Sequence, residues 1–94
     1  MTWTLIYAAS AARAIKRLDP AVRRRMLAAL QKLRDDPERG KPLQLALRGL
    51  RSWSTHDYRI VYRIIESRIE VLVVAVGHRR DVYERLKKTL DAGR

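Results

Sequence analysis

Two short segments of this chain carry side chains that could do chemistry together. The first runs from His56 to Arg59, and the second, from His78 to Tyr83, adds a histidine, two arginines and a tyrosine. The planar fork of arginine binds phosphate and stabilises the extra negative charge of a transition state, while tyrosine and histidine transfer protons. These residue types suit metal-free RNA cleavage, in which a 2′-hydroxyl loses its proton, attacks the adjacent phosphorus and expels the 5′-oxygen. Without chemistry, the same residues would form an anion-binding rim.

Other kinds of catalytic site are missing from the sequence. The chain has no cysteine, which excludes disulfides, zinc-thiolate sites and thiol nucleophiles. It has no glycine-rich phosphate loop and no His/Asp/Glu spacing typical of a metal site. Ser52 and Ser54 lack the glycine-flanked elbow of serine hydrolases. We therefore expect neither a metal nor a cofactor.

The charge of the chain predicts an anionic partner. Its 94 residues include 21 Lys and Arg against 10 Asp and Glu, so the formal net charge is 21 − 10 = +11. Most of these cations are arginine. A surplus of this size on a small surface attracts polyanions, and the attraction weakens steeply as salt is added. Nucleic acid and an acidic protein are both candidate partners.

The length of the chain allows one domain, which we expect to span residues 1–94. No stretch approaches the ~20 apolar residues that cross a bilayer. The opening segment, Trp3 to Ala12, is apolar, but it lacks the preceding cationic region that a signal peptide has. We expect a cytoplasmic protein without membrane contact, and the absence of cysteine is compatible with a reducing compartment.

Hydrophobic periodicity predicts an α+β fold. We expect an N-terminal strand, a helical hairpin packed on one face of an antiparallel sheet, a three-strand meander and a short C-terminal helix. Apolar residues on both faces of the last strand predict a central position in the sheet. The predicted strands are Met1–Tyr7, Arg51–Thr55, Tyr58–Ile65 and Ile69–Val76, and the predicted helices are 10–18 (capped by Ser10), 20–35 (capped by Asp19) and Val82–Leu90.

The meander brings the chemical side chains to one end of the sheet. If Ser67-Arg68 forms a two-residue turn, Arg59 pairs with Val76. Arg59 and His78 then lie on the same face as diagonal neighbours. The predicted strand Arg51–Thr55 ends at the same edge, next to His56. The segment His78 to Tyr83 follows the last predicted strand at this edge.

The runs DYRIVYRI and VLVVAVGHRRDVY, preceded by KPL and LRGL, closely resemble the RelE group of the RelE/ParE toxin superfamily. The resemblance covers nearly the whole chain, from the opening strand through the helical pair to the meander. It implies a bacterial toxin that enters the ribosomal A site and cuts mRNA by a metal-free 2′-hydroxyl attack. It also implies a cognate antitoxin, acidic where it covers the cationic edge, and a toxin–antitoxin hetero-oligomer.

Individual roles follow from the same resemblance. Arg59 matches the arginine of the family's YR strand, Arg79 the arginine after the VGH turn, and Tyr83 the tyrosine of the terminal VY motif, which are phosphate-binding and catalytic positions. His78 stands where many relatives have lysine or histidine, so it would bind phosphate or transfer a proton. The further RNA-binding candidates are Arg23, Arg24, Arg48, Arg51, His56 and Arg80.

One departure keeps alternative functions open. RelE-like enzymes often place cations on the strand before the DYR motif, where this chain has Ser52 and Ser54. The alternatives are a ParE-like inhibitor of DNA gyrase without nuclease activity, and a member that has lost its chemistry and only binds antitoxin. The intact VGHRRDVY ending favours the nuclease.

Overall fold

The computed structural model describes residues 2–92, which form an α+β fold, as the sequence predicts. Within these residues no helix is long and apolar enough to cross a membrane. The strands are β1 (Thr4–Tyr7), β2 (Lys41–Pro42), β3 (Arg51–Thr55), β4 (Tyr58–Ile65) and β5 (Glu70–His78), and the helices are α1 (Ala9–Lys16), α2 (Pro20–Asp35) and α3 (Val82–Ala92).

The five strands form one sheet in the order β1-β5-β4-β3-β2. Strands β2 to β5 pair antiparallel, and β3, β4 and β5 form the predicted meander. Strand β1 pairs parallel to β5, so the sheet is mixed and the prediction of an antiparallel sheet holds only for its larger part. The two-residue strand β2 was absent from the prediction. Strand β5 lies between β1 and β4, in the central position that its apolar sequence predicts.

The helical hairpin is built by local signals. Helix α2 begins at Pro20 with Asp19 in the cap position, as predicted, because proline suits the first turn of a helix. Helix α1 begins at Ala9, so the prediction of Ser10 as its cap is wrong. At the end of α1 and just after it, the carbonyl oxygens of residues 15, 16 and 18 accept hydrogen bonds from the guanidinium group of Arg23 in α2, at 2.8–3.3 Å. Arg23 therefore joins the two helices.

The hydrophobic core lies between this hairpin and one face of the sheet, here called the hairpin face. The face is formed by the even-numbered residues of β4 and their partners on β5. Burying such side chains contributes about 1.5–3 kcal/mol each. The buried core residues are Ala11, Met26, Ala29, Leu30, Leu33, Ile60, Tyr62, Val71, Val73 and Val76.

The connection after α2 is fixed to this core by Tyr62. The phenolic oxygen accepts a hydrogen bond from the Gly40 N–H at 3.1 Å and donates one to the carbonyl oxygen of Pro37. A Cβ at position 40 would collide with the Tyr62 hydroxyl, so only glycine lets the backbone approach this closely. Arg51 adds hydrogen bonds to the carbonyl oxygens of Glu38 and Gly40, at 2.8 and 2.7 Å.

The β4–β5 register differs from the prediction beyond a β-bulge. A single 3₁₀ turn at Glu66–Arg68, followed by Ile69 in the left-handed region (φ 54°), replaces the predicted two-residue turn. Near this turn the pairing agrees with the predicted register, since Ile65 pairs with Glu70. Between Val61 and Tyr62 the register shifts by one residue, leaving Val74 as the extra residue on β5.

Candidate active site on the second face of the sheet

The second face of the sheet, here called the α3 face, carries Ser52 and Ser54 of β3, Arg59 and Val61 of β4, and Gly77 of β5. In the register, Ser52 lies opposite Val61, Ser54 opposite Arg59, and Arg59 opposite Gly77. Directly opposite residues point to the same side of a sheet, so these side chains share one face. The polar residues of β3 and β4 are thus brought together on the side away from the hairpin.

Helix α3 packs on this face above Gly77. A Cβ at position 77 would collide with the Arg85 guanidinium and lie 3.3 Å from the Val82 Cβ. Val82 and Val61 are both fully buried, which shows that the start of α3 closes this part of the face to water. The glycine therefore allows the helix to begin directly over the strand.

Tyr83 of α3 is held in place by a hydrogen bond to β3. Its hydroxyl lies 2.7 Å from the Oγ of Ser52. Ser52 is buried, with 7 % of its surface exposed, whereas Tyr83 remains partly accessible. A buried serine thus fixes the position of a phenol that solvent can reach.

Two arginines are anchored to the turn between β3 and β4. The Arg59 Nη1 donates hydrogen bonds to the carbonyl oxygens of His56 and Tyr58, both at 3.1 Å. The backbone N–H of Arg79 donates to the Asp57 carbonyl oxygen at 2.7 Å, and its Nε lies 3.5 Å from the Asp57 Oδ1. Because His56 and Asp57 are consecutive, the two guanidinium groups are held at the same short turn.

The tyrosine contacts β3 one residue pair away from Arg59. The Tyr83 hydroxyl lies over the Ser52–Val61 pair, and Arg59 belongs to the next pair on the same face. Two residues along a strand span about 7 Å. A ribose with its 3′-phosphate can bridge such a gap, so one phosphodiester could contact an arginine and the phenol together.

His78 lies on the other face of the sheet, so the prediction that it shares a face with Arg59 is wrong. Beyond the bulge Arg59 pairs with Gly77, while His78 pairs with Tyr58, whose side chain points to the opposite face. The imidazole therefore points to the hairpin face, where it meets the Tyr58 ring edge-on at 5.7 Å between centroids. Its Nδ1 accepts a hydrogen bond from the Arg80 backbone N–H at 3.2 Å. The structure separates this predicted catalytic residue from the other three.

The predicted RNA-binding residues divide into two groups. The guanidinium groups of Arg23 and Arg51 are bound to backbone carbonyl oxygens, and Arg51 faces the hairpin side of the sheet because it pairs with Tyr62. The others, Arg24, Arg48, His56 and Arg80, are exposed. Only Arg80 and His56 belong to the end of the sheet that carries Arg59 and Arg79.

The sequence reasoning missed two residues that shape this site. Ser52 was considered only as an unlikely nucleophile and as a missing cation, although it is the partner of Tyr83. Asp57 was given no role in the site, although it holds Arg79. In the alternating run RSWST, Ser52 is a polar residue at a position that faces into the protein, and this placement could have pointed to a hydrogen-bond partner. Among residues 2–92 there is no cluster of three or more His, Asp or Glu side chains that could hold a metal ion.

Known proteins resemble this chain in sequence and in fold. A family model described as the ParE toxin of a type II toxin–antitoxin system, parDE, matches residues 5–83. Toxin RelG of Mycobacterium tuberculosis is 35 % identical over 91 residues, which cover 90 % of this chain and all of that protein.

Solved structures of toxins from toxin–antitoxin complexes also resemble this chain. The toxin–antitoxin complex RelBE2 of Mycobacterium tuberculosis contains a chain with a TM-score of 0.79 and 30 % identity, covering 86 % of this chain and 95 % of that one. The intact RelBE complex of E. coli shares the fold, with a TM-score of 0.71 and 22 % identity over 81 % of this chain and 95 % of that one. This chain belongs to the RelE/ParE family of toxins from type II toxin–antitoxin systems.

Proposed function

We propose that this toxin is an endoribonuclease that cuts mRNA on the ribosome by metal-free attack of a 2′-hydroxyl on the adjacent phosphodiester. The observation that carries the proposal is the grouping of a hydrogen-bonded Tyr83 and Arg59 on one sheet face, with Arg79 anchored at the same turn as Arg59. Arginines placed where negative charge develops, next to a proton-transferring phenol, are the groups this reaction needs.

The roles follow from chemistry and position. Arg59 and Arg79 bind the scissile phosphate and stabilise the extra charge of the five-coordinate phosphorus. Tyr83 transfers one of the two protons, as donor to the leaving 5′-oxygen or as acceptor from the 2′-hydroxyl, and water exchanges the other. The new bond joins the 2′-oxygen to phosphorus, the bond to the 5′-oxygen breaks, and the products are a 2′,3′-cyclic phosphate and a 5′-hydroxyl. His78 reaches a substrate only around the end of β5 and is a weaker candidate for this step.

The chain's partners are the ribosome with its mRNA, in the cytoplasm, and an acidic antitoxin that forms a hetero-oligomer with it. The net charge of +11 supports both an RNA and an acidic protein as partners. The RelBE2 relative is a toxin–antitoxin complex, which supports an antitoxin for this chain.

Primer extension on a defined message, after brief induction of the toxin, tests the proposal. The same message is tested with translating ribosomes and as naked RNA. We expect cuts inside codons that appear only on ribosomes. Growth arrest without cuts, together with DNA damage signalling, would instead indicate inhibition of DNA gyrase. Neither cuts nor arrest would mean that the chain has lost its chemistry.

A further inference from the structure

Arg85 of α3 adds a further cation to the α3 face of the sheet. A Cβ at Gly77 would collide with the Arg85 Nη2, so the guanidinium group occupies the place of the side chain that glycine lacks. Gly77 lies directly opposite Arg59 on the neighbouring strand. Paired residues of adjacent strands are about 5 Å apart, so Arg85 brings a second guanidinium group beside the strand position of Arg59.

The guanidinium group of Arg85 is free to bind a ligand. The residue is exposed, and within residues 2–90 its guanidinium group forms no hydrogen bond or ion pair. Asp81, one turn earlier on α3, bonds Arg85 through the backbone, where its carbonyl oxygen accepts from the Arg85 N–H at 3.0 Å. Glu84 pairs with Lys87 instead. A cation that is held in a defined place without a protein partner is suited to binding an anion.

A cavity of about 230 Å³ adjoins Arg85 and leaves room for a ligand. It lies between α1, β5 and α3, and its other polar wall residues are Ser10 and Thr89. None of the described residues in its wall is acidic. A phosphate bound at Arg85 would therefore meet no negative charge from this cavity.

Arg85 and Tyr83 lie on opposite sides of α3. Side chains two residues apart in a helix point roughly 200° apart, so Tyr83 reaches Ser52 of β3 while Arg85 reaches Gly77 of β5. Arg59 belongs to β4, the strand between these two. An RNA strand that crosses this end of the sheet from β3 to β5 would thus contact Tyr83, Arg59 and Arg85 in that order.

We propose that Arg85 binds the backbone phosphate next to the scissile one, on the side of Arg59 away from Tyr83. The inference rests on the proposed function, which supplies an RNA substrate and places the scissile phosphate at Arg59. Ser54, opposite Arg59 on β3, is neutral, so the second cation beside Arg59 comes from α3. A neighbouring phosphate gains no charge during the reaction, so Arg85 contributes to the binding of substrate and not to the chemical step.

The kinetics of message cleavage on programmed ribosomes test the proposal, with the full-length toxin and its Arg85→Gln variant. Glutamine keeps a long polar side chain over Gly77 but removes the charge. We expect KM to rise about 10-fold while kcat changes by less than about twofold, because the lost interaction is equally strong in the ground state and the transition state. Lys88→Gln removes an exposed cation three residues further along α3 and is the matched control, with KM expected to change by less than about twofold. Thermal melting shows that both variants are folded.

Neutral backbone linkages locate the contact. Each test message carries one methylphosphonate, which lacks the phosphate charge, on one side or the other of the cleavage site. For the wild type, we expect one of these two substitutions to raise KM about 10-fold. For Arg85→Gln, the same substitution should have no further effect, because the contact is already lost.

Four results would overturn the inference and leave the proposed function unaffected. If Arg85→Gln cuts with the KM of the wild type, Arg85 does not contact the message. If its kcat falls at unchanged KM, Arg85 acts on the scissile phosphate. If Lys88→Gln raises KM equally, only the net charge matters. If each neutral linkage affects the wild type and Arg85→Gln equally, other groups hold these phosphates. A wild-type toxin that does not cut the ribosome-bound message refutes the proposed function itself, and the inference with it.

Discussion

The two faces of the sheet are covered to different depths. On the hairpin face, α1 and α2 exclude water completely from Ile60, Tyr62 and Val71. On the α3 face, Val61 is buried but Arg59 and Tyr83 remain partly accessible. The hairpin face therefore supplies stability, and the α3 face retains polar groups that a stable core would exclude. This chain of 94 residues has one full core, and the candidate active site lies on the opposite side of the same strands.

Truncating the hairpin-face core should have the largest effect on stability. Leu33 on α2 is fully buried, so Leu33→Ala removes apolar contacts and leaves a cavity. We expect a loss of about 2–5 kcal/mol in the free energy of unfolding, measured by urea denaturation. The control is Leu27→Ala on the same helix, whose half-exposed side chain should cost under about 1 kcal/mol. Equal losses at both positions would contradict the division between the faces.

Removing an arginine at the other face should affect activity and leave stability nearly unchanged. Arg79→Ala deletes a proposed phosphate contact, and we expect the rate of ribosome-dependent cleavage to fall about 10²–10³-fold. The ion pair with Asp57 is exposed, so unfolding should change by less than about 1 kcal/mol. Arg68→Ala removes another exposed arginine, 4.0 Å from Glu70, and should retain full activity. An Arg79→Ala variant that still cuts mRNA would exclude Arg79 from the site.

Tyr62 tests the polar part of the hairpin face. Tyr62→Phe leaves the buried N–H of Gly40 and the carbonyl oxygen of Pro37 without their partner. We expect a loss of about 1–3 kcal/mol in the free energy of unfolding, with cleavage per folded molecule unchanged. A loss of activity at unchanged stability would mean that this connection acts on the other face.

Alkaline pH probes the same tyrosine. Burial raises the pKa of Tyr62 above its usual value of 10.0, although the hydrogen bond from Gly40 and the positive charge of Arg51 partly oppose the shift. Because the unfolded chain loses this proton first, the stability is present below pH 10 and falls as pH rises through the folded-state pKa. We expect Tyr62→Phe to flatten this alkaline decline in urea denaturation series at increasing pH. A decline of unchanged slope would assign it to other groups.

The smallest effect is expected where the two strands and α3 meet. Ser52→Ala removes the hydrogen bond that positions Tyr83, and the phenol then occupies several orientations. We expect cleavage to slow about threefold to tenfold, equivalent to the ordinary worth of a hydrogen bond. The lower rate should appear in kcat rather than KM, since Ser52 is buried and does not contact substrate. Ser67→Ala, in the exposed turn before β5, is the matched control.

The sequence predicts the positions of strands and helices well where turn or capping residues bound a segment of regular hydrophobic periodicity. The bounds of β3 and β4 match the predicted ones residue for residue, because polar turn residues at His56-Asp57 end one alternating run and begin the next. The Asp-Pro pair at 19–20 likewise marks the start of α2. These signals are local, so a single sequence contains them.

The site depends on contacts that local signals do not specify. Both Val73 and Val74 are apolar, so the alternation of β5 does not reveal which of them is the extra residue of the bulge. Arg23 and Arg51 bind carbonyl oxygens of other elements, at residues 16 and 40 for example, and a count of cations cannot distinguish such bound arginines from free charges. Ser52 and Tyr83 are 31 residues apart in the chain, and their hydrogen bond forms only when α3 packs on the sheet.

The bulge shifts the alternation of side chains between the two halves of β5 by one residue. With it, the small hydrogen of Gly77 faces α3 and the imidazole of His78 faces the hairpin. If Val74 were paired with Val61 in a regular ladder, this order would be inverted, and the Val76 side chain would take the place of Gly77 beneath Val82 and Arg85. The residue left unpaired in β5 thus determines both which side chains lie on the α3 face and whether the last helix can dock. For an engineer who grafts this sheet, keeping Ala75 rather than Val74 opposite Val61 is a stricter constraint than the identity of either valine.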